Sequence, residues 1–371
     1  MANATNMTIE NAAFHGGAFW SEVGSDFSDL ERMDSIVPAD VLDAWFPPAP
    51  NVLQALKENV ELITRCSPPA HADGLVKEIS AARGIDSKNI AVGPGSSSLI
   101  FLALRHWLSA KNRILILDPM YGEYAHILRG VIGCQFDTFP LLREEGYKVD
   151  LRALVRRSRN YDWIFLVNPN SPTGQMIDSQ KLAEAISELP DITHMWIDEA
   201  YIEYAEGAES LEKLAASHPR VVVCKSLSKA YSLSGLRAAY IVCAERRAAA
   251  LRKITPPWSV SLPAQIGAVE ALRAPDYYAK QYAATRENRT ALVANLKGIG
   301  LDVLEGVANS VLVHLDRPVD KVLESAKNEG VYLRDVRSMF QGEDPQAIRI
   351  AVRTPKENER VVKAIQNALQ G

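Results

Sequence analysis

From Gly74 to about Ile254 the chain alternates short apolar runs with amphipathic stretches. The runs Ile90 to Val92, Arg113 to Leu117, Trp163 to Val167, Met195 to Ile197, Val221 to Cys224 and Ala239 to Val242 are too short for helices and read as strands. They are unbroken rather than alternating, which suits strands buried on both faces, as in a parallel sheet. Between them, helical periodicity fits Ser97 to Leu108, Tyr124 to Ile132, Ser179 to Leu189 and Arg246 to Lys253. This alternation predicts an α/β fold: one large, mostly parallel sheet with helices on both sides.

The flanks read differently. Residues 1 to 50 are irregular and end in Phe46-Pro47-Pro48-Ala49-Pro50, where prolines favour extended backbone. A helix is expected from Val52 to Thr64, and Ser67-Pro68-Pro69 breaks the chain again. After a second break at Thr255-Pro256-Pro257, one long helix is expected over Ala264 to Leu296. The last stretch mixes strands (Ser310 to Leu315, Val331 to Arg334, Ile348 to Val352) with helices (Asp320 to Asn328, Lys356 to Leu369). The expected organisation is an N-terminal segment over 1–50 that joins the smaller domain and the substrate pocket, a large α/β domain over 51–255, and an interdomain helix with a small α+β domain over 256–371.

Composition narrows the function. The 371 residues are 47% hydrophobic and 23% charged, an ordinary globular mix. The net charge of -4 speaks against nucleic acid as the partner. No apolar run approaches the ~20 residues of a membrane-spanning helix. The four cysteines are scattered without a CxxC pair, so neither a disulfide framework nor a zinc site is expected. With no secretory signal visible at the start, a reduced, soluble, cytoplasmic protein is the expectation.

Five segments, each at the end of an expected strand, carry candidate chemistry. Ser226-Leu227-Ser228-Lys229 precedes Arg237 by eight residues from the lysine. A desolvated lysine suits Schiff-base chemistry, and Ser226, Ser228 and Arg237 could hold a phosphate; a solvated lysine in a polar loop is the plainer alternative. Asp198, ending its strand, is either a helix cap or the partner of a protonated heterocyclic nitrogen, and Glu199 beside it reads as structural. Asn168-Pro169-Asn170-Ser171-Pro172-Thr173-Gly174 is a constrained turn able to present the Asn170 amide to a ligand oxygen. Gly93-Pro94-Gly95-Ser96-Ser97 opens a helix, where free N–H groups and hydroxyls make an anion site. Tyr121, after Asp118-Pro119-Met120, could stack on a planar ring. Together these groups could grip a phosphorylated pyridine aldehyde.

On these motifs, over roughly residues 45 to 371, the chain resembles a pyridoxal 5′-phosphate enzyme of fold type I, in the class I/II aminotransferase superfamily. The spacings match too: 28 residues from Asn170 to Asp198 and 31 from Asp198 to Lys229. The resemblance implies that Lys229 links covalently to the cofactor and shuttles the proton, and that Asp198 keeps the pyridine nitrogen protonated. It implies that Asn170 and Tyr201 hydrogen-bond the phenolic oxygen, that Tyr121 stacks on the ring, and that Ser96, Ser97, Ser226, Ser228 and Arg237 form the phosphate cup. Arg349 is similar to the arginine that binds the substrate carboxylate. Arg334 is similar to a second arginine of the histidinol-phosphate aminotransferase and threonine-phosphate decarboxylase branch, facing the distal phosphate or the carboxylate.

His15-Gly16-Gly17 with Asp26-Phe27-Ser28 resembles the start of the decarboxylase group. Ala39 to Pro48 and Ser67 to His71 resemble aminotransferase-like modules associated with phosphonate metabolism. One departure stands out: Ser67-Pro68 occupies the place of a Tyr-Pro pair whose tyrosine reaches the neighbouring subunit's cofactor phosphate. The resemblance implies a homodimer with sites at the interface and a small-molecule amino substrate, one that could bear a phosphate or phosphonate; Arg337 and Arg353 add charge near Arg349, though a surface position suits both. Aminotransfer is the leading expectation, with α-decarboxylation or another lyase or bond-forming reaction as the alternative. A non-enzymatic sensor would need a DNA-binding extension that this sequence lacks.

Overall fold

A computed structural model describes residues 16–24, 26–342 and 345–370 of the chain. Seven strands form the main sheet, in the spatial order Ile90–Gly93, Ala239–Cys243, Val221–Ser226, His194–Asp198, Trp163–Val167, Ile114–Asp118, Phe136–Pro140. All neighbours pair in parallel except Ala239–Cys243, which is antiparallel to both of its neighbours. The reason for strands here is visible locally: Trp163–Val167 and Ala239–Cys243 are buried at every position. Apolar side chains on both faces can be satisfied only by helices above and below. One such helix, Ser96–Trp107, buries Leu99, Ile100, Ala103 and Leu104 on a single stripe, each large side chain contributing about 1.5–3 kcal/mol. Its entry depends on Gly93, where a Cβ would lie 2.5 Å from Leu99.

A second sheet of four antiparallel strands runs Arg334–Asp335, Ala347–Ala351, Ser310–His314, Asp302–Glu305. It has its own core, in which Val311, Val313, Ile348 and Ile350 meet Leu292, Leu296, Val361 and Ile365 from the helices Pro275–Gly298 and Pro355–Gln370. Val37–Pro38 pairs in parallel with Val331–Tyr332, which fixes the N-terminal segment to this layer. The chain then threads between the two sheets. The carbonyl of Leu42 accepts from Asn309 (3.2 Å) and that of Phe46 accepts from the Ser232 hydroxyl (2.6 Å).

Several boundaries differ from expectation. The long helix is two, Leu262–Leu272 and Pro275–Gly298, because Pro275 lacks the N–H that would continue the first. Val52 to Thr64 is broken at Asn59 into Pro50–Glu58 and Val60–Arg65. Tyr124 to Ile132 begins as an α-turn, Glu123–His126, and ends in a π-helical stretch, Ile127–Ile132. Val331 to Arg334 divides into two short strands serving different sheets. Among the described residues no helix is long and apolar enough to cross a membrane.

The two layers meet in several places, and one of these contacts is between glycines. Gly174, with φ +67°, packs against Gly306, where a Cβ would lie 2.5 Å from the Gly174 backbone. The Val307 N–H donates to the Gly174 carbonyl at 2.8 Å. No side chain separates the Asn168–Gly174 turn from the four-stranded sheet at this point.

Candidate active site

The carboxyl ends of the parallel strands open into a cavity of about 420 Å³, the place where ligands collect in open α/β sheets. Ten of the twelve residues singled out from sequence line it: Ser96, Ser97, Tyr121, Asp198, Tyr201, Ser226, Lys229, Arg237, Arg334 and Arg349. Asn170 and Ser228 stand behind the wall. Asn170 donates its amide to the Pro119 carbonyl (2.9 Å) and to the Thr173 hydroxyl (3.2 Å), and only its buried Oδ1 is without a partner. Its amide is thus spent on holding the turn rather than offered as a donor. The Ser228 hydroxyl accepts from Arg237 at 3.2 Å and so orients that guanidinium from behind. Neither Ser67 nor His71 lines the cavity of this chain. Arg337 is tied to Asp320 and Asp335 outside it. Arg353 pairs with Glu357. His15 lies outside the described residues.

One end of the cavity is built for an anion. Gly95 enters the helix Ser96–Trp107 at φ +93° and no side chain caps it, which leaves first-turn N–H groups for a ligand. A Cβ on Gly95 would meet the Arg237 guanidinium at 2.5 Å, so glycine is what lets arginine and helix start converge. The Ser226 hydroxyl, at the end of Val221–Ser226, is buried with no partner. Uncapped N–H groups, an unsatisfied hydroxyl and a guanidinium together fit a phosphate ester.

Deeper in, Asp198 is 4% exposed. Its Oδ2 accepts from the Tyr124 hydroxyl (2.7 Å), which itself accepts from Trp196 Nε1 (2.7 Å), and its Oδ1 accepts from the Ala200 N–H (3.0 Å). Burial pushes this carboxyl up to about 6 against the pull of these hydrogen bonds and of Lys225. A carboxylate so held fits a cationic partner of the kind a protonated pyridine nitrogen would offer. Because the folded form binds the proton more tightly than an ordinary carboxylate of 3.8, stability falls as pH rises from about 4 to 6. In cofactor-free protein Asp198→Asn is expected to flatten that part of the urea-unfolding profile by up to about 3 kcal/mol; a profile unchanged by the substitution contradicts the assignment.

Three contributors escaped the sequence reading. Tyr124 sits one turn after Tyr121, whose own hydroxyl donates to Glu123 at 2.7 Å; the spacing of three was the available signal. Asp40 and Asp43 come from the proline-rich N-terminal segment, where no periodicity marks them. Asp40 Oδ2 accepts from the Gly17 and Ala18 N–H groups (2.6 and 3.1 Å), closing that segment over the cavity. Asp43 Oδ1 accepts from Lys229 Nζ at 2.7 Å and from the Ser234 hydroxyl at 2.6 Å.

Opposite the cup, Arg334 and Arg349 are directly paired across adjacent strands and are 3% and 5% exposed. Arg349 donates to the Ser171 hydroxyl (3.0 Å) and the Asp40 carbonyl (3.1 Å). Burial and the neighbouring Arg349 charge bring Arg334 down to about 10. Two guanidiniums held together in this way call for an anion between them.

Such a fold with such a site defines a pyridoxal-phosphate-dependent enzyme of fold type I. The chain belongs to the aminotransferase class I and II family, whose description residues 41–365 match, and it is a pyridoxal 5′-phosphate-dependent aminotransferase. It is 31% identical over 341 residues to histidinol-phosphate aminotransferase 2 of Archaeoglobus fulgidus, covering 92% of this chain and 94% of that protein. It is 28% identical over 360 residues to the histidinol-phosphate aminotransferase of Desulfotalea psychrophila, covering 94% and 92%. In fold it is similar to the Sinorhizobium meliloti histidinol-phosphate aminotransferase solved with pyridoxal-5′-phosphate (TM-score 0.84, 20% identity, 100% and 98% covered). It is similar in the same way to the L-threonine-O-3-phosphate decarboxylase of Porphyromonas gingivalis (0.80, 22%, 91% and 100%).

Proposed function

We propose that this aminotransferase takes a primary amine carrying a phosphate ester, of the kind represented by histidinol phosphate. The observation that supports it most is the Arg334–Arg349 pair, buried side by side in the cavity that also holds Lys229 and Asp198. Two converging guanidiniums offer more donors and charge than a single carboxylate requires, which suits a dianionic phosphate.

When bound, pyridoxal 5′-phosphate supplies a carbonyl that captures the amine and a ring that stores the electrons of the broken bond. The chain supplies the rest. Arg237, Ser226 and the helix start at Ser96 and Ser97 hold the cofactor phosphate. Tyr121 would stack on the ring, Tyr201 would hydrogen-bond its phenolic oxygen, and Asp198 would keep the nitrogen charged. Lys229 is the linking amine and moves the proton at the substrate carbon, while Arg334 and Arg349 fix the far end. A homodimer in a reducing cytoplasm completes this reading, and the four cysteines, all free, suit such a compartment.

The test is a coupled assay with L-histidinol phosphate and 2-oxoglutarate. Oxoglutarate-dependent glutamate formation is expected. Carbon dioxide release from a phosphorylated amino acid without an acceptor would favour decarboxylation instead. Arg334→Gln is expected to raise KM for the phosphorylated amine about 30-fold, with a much smaller change in kcat, because charge-assisted hydrogen bonds of this kind contribute about 2 kcal/mol. An equal loss with an unphosphorylated amine would remove the phosphate from the argument.

A further inference from the structure

The N-terminal segment delivers a carboxylate to the most reactive amine of the site, and the reaction as described leaves that carboxylate without a task. Lys229 Nζ lies 2.7 Å from Asp43 Oδ1, with the side chains 27% and 39% exposed. Asp43 is itself held. The Ser234 hydroxyl donates to the same Oδ1 at 2.6 Å and also to the Ser228 carbonyl at 3.1 Å, which ties the carboxylate to the loop following Lys229. The backbone on either side is fixed by the Asn309 amide at Leu42 and the Ser232 hydroxyl at Phe46. A long, flexible amine has many places to go when released; here one is prepared.

We propose that Asp43 is a positioning residue, the docking partner of the Lys229 ammonium whenever that nitrogen is not bonded to the cofactor. The proposal rests on the reading of Lys229 as the linking amine. Asp43 forms no bond to substrate and takes no proton; it stays a carboxylate and holds the lysine within reach of the reacting carbon. Its surroundings favour that state. Burial pushes the Asp43 carboxyl up, but Lys229, Ser234 and Arg353 outweigh it and the net direction is down. The other ionisable groups near the pair are the phenols of Tyr201 and Tyr204, both of which feel the Asp43 charge. Across the cavity stand Asp198, Asp40, Arg237, Arg334 and Arg349.

The consequence is measurable without turnover. In cofactor-free protein at pH 8, competitive acetylation read by mass spectrometry gives the reactivity of Lys229 relative to the other lysines. Asp43→Asn is expected to raise Lys229 labelling about fivefold, because the amine loses the partner that holds it in place 2.7 Å away. Labelling of Lys225, 2% exposed, is expected to stay constant and thereby reports an intact fold. Asp43→Glu is expected to return Lys229 labelling most of the way to wild type, which a merely structural role would not produce. In loaded enzyme Asp43→Asn is expected to lower kcat about tenfold, with KM within twofold.

Unchanged Lys229 labelling in an Asp43→Asn protein of wild-type melting temperature overturns the proposal. Raised labelling of Lys225 together with Lys229 overturns it as well, since the variant has then loosened the fold. Wild-type protein that shows no borohydride-fixed cofactor at Lys229 would instead remove the cofactor linkage, and the labelling ratio would still decide the Asp43 contact on its own.

Discussion

Lys229→Ala is expected to lower turnover by about four orders of magnitude, the full range of a positioned proton-transfer group, while the protein still takes up pyridoxal 5′-phosphate. The separation follows from where the groups proposed to hold the cofactor lie. Arg237, Ser226, the helix start at Ser96 and the carboxylate of Asp198 stand on four different elements, and none of them needs Lys229 for its position. Only Asp43 loses a partner, and Ser234 still satisfies its Oδ1. Absorbance titration checks the uptake, single-turnover rates check the loss, and borohydride followed by peptide mapping is expected to fix the cofactor at residue 229 of the wild type alone. Turnover above a tenth of the wild-type rate in the alanine variant would move the proton transfer to another group.

Lys225→Met is expected to cost about 3–5 kcal/mol of stability, the loss seen when one partner of a buried ion pair is removed. Lys225 precedes Ser226 on the same strand, and successive residues of a strand face opposite sides. The lysine therefore points away from the cavity, 2.7 Å from Glu203 and 3.6 Å from Glu199. Glu212 and Arg83 extend the cluster, Arg83 lying 3.4 Å from Glu203 and 3.8 Å from Glu212. Without Lys225, Arg83 still pairs with Glu203 and Glu212, but Glu199 loses its cation. Burial already raises the Glu199 carboxyl to about 7 against the pull of Lys225, so this group takes up a proton as pH falls. The folded form is the one that gains from this, because it binds that proton more tightly than the unfolded chain. The penalty is expected to be smaller at pH 6 than at pH 8. Urea unfolding at both values measures it, and equal midpoints for variant and wild type would show the cluster to be dispensable.

Much of the site could be read from sequence because its residues end strands that announce themselves. Trp163–Val167 is a run of five apolar residues and was delimited to the residue; the turn that follows it could then be placed by counting. Asp198 and the lysine loop could be placed in the same way, although the expected runs Met195 to Ile197 and Val221 to Cys224 fall short of the strands His194–Asp198 and Val221–Ser226. Phe136–Pro140 went unread because it is an edge strand, with polar Asp137 and Thr138 in its middle and only Phe139 buried. Asp302–Glu305 is an edge strand of the same kind, with only Val303 buried. The helices Asp73–Arg83 and Leu151–Ser158 went unread although both are amphipathic, burying Leu75 with Ile79 and Leu154 with Ser158 at helical spacing. Asp40 and Asp43 were hidden for a different reason. Their roles come from contacts with Gly17 and Lys229, 23 and 186 positions away, and local pattern holds no trace of such pairings.

The bare contact of Gly174 with Gly306 sets the enzyme a measuring task. With backbone against backbone there, and Ser171 bonded to Arg349 nearby, the arginine end and the lysine end of the pocket keep a constant span, like the jaws of a locked calliper. If Arg334 and Arg349 take the far end of the substrate as proposed, selection among amines is expected to be by length: a molecule whose anionic tail falls short of that span, or overshoots it, would be gripped at one end only.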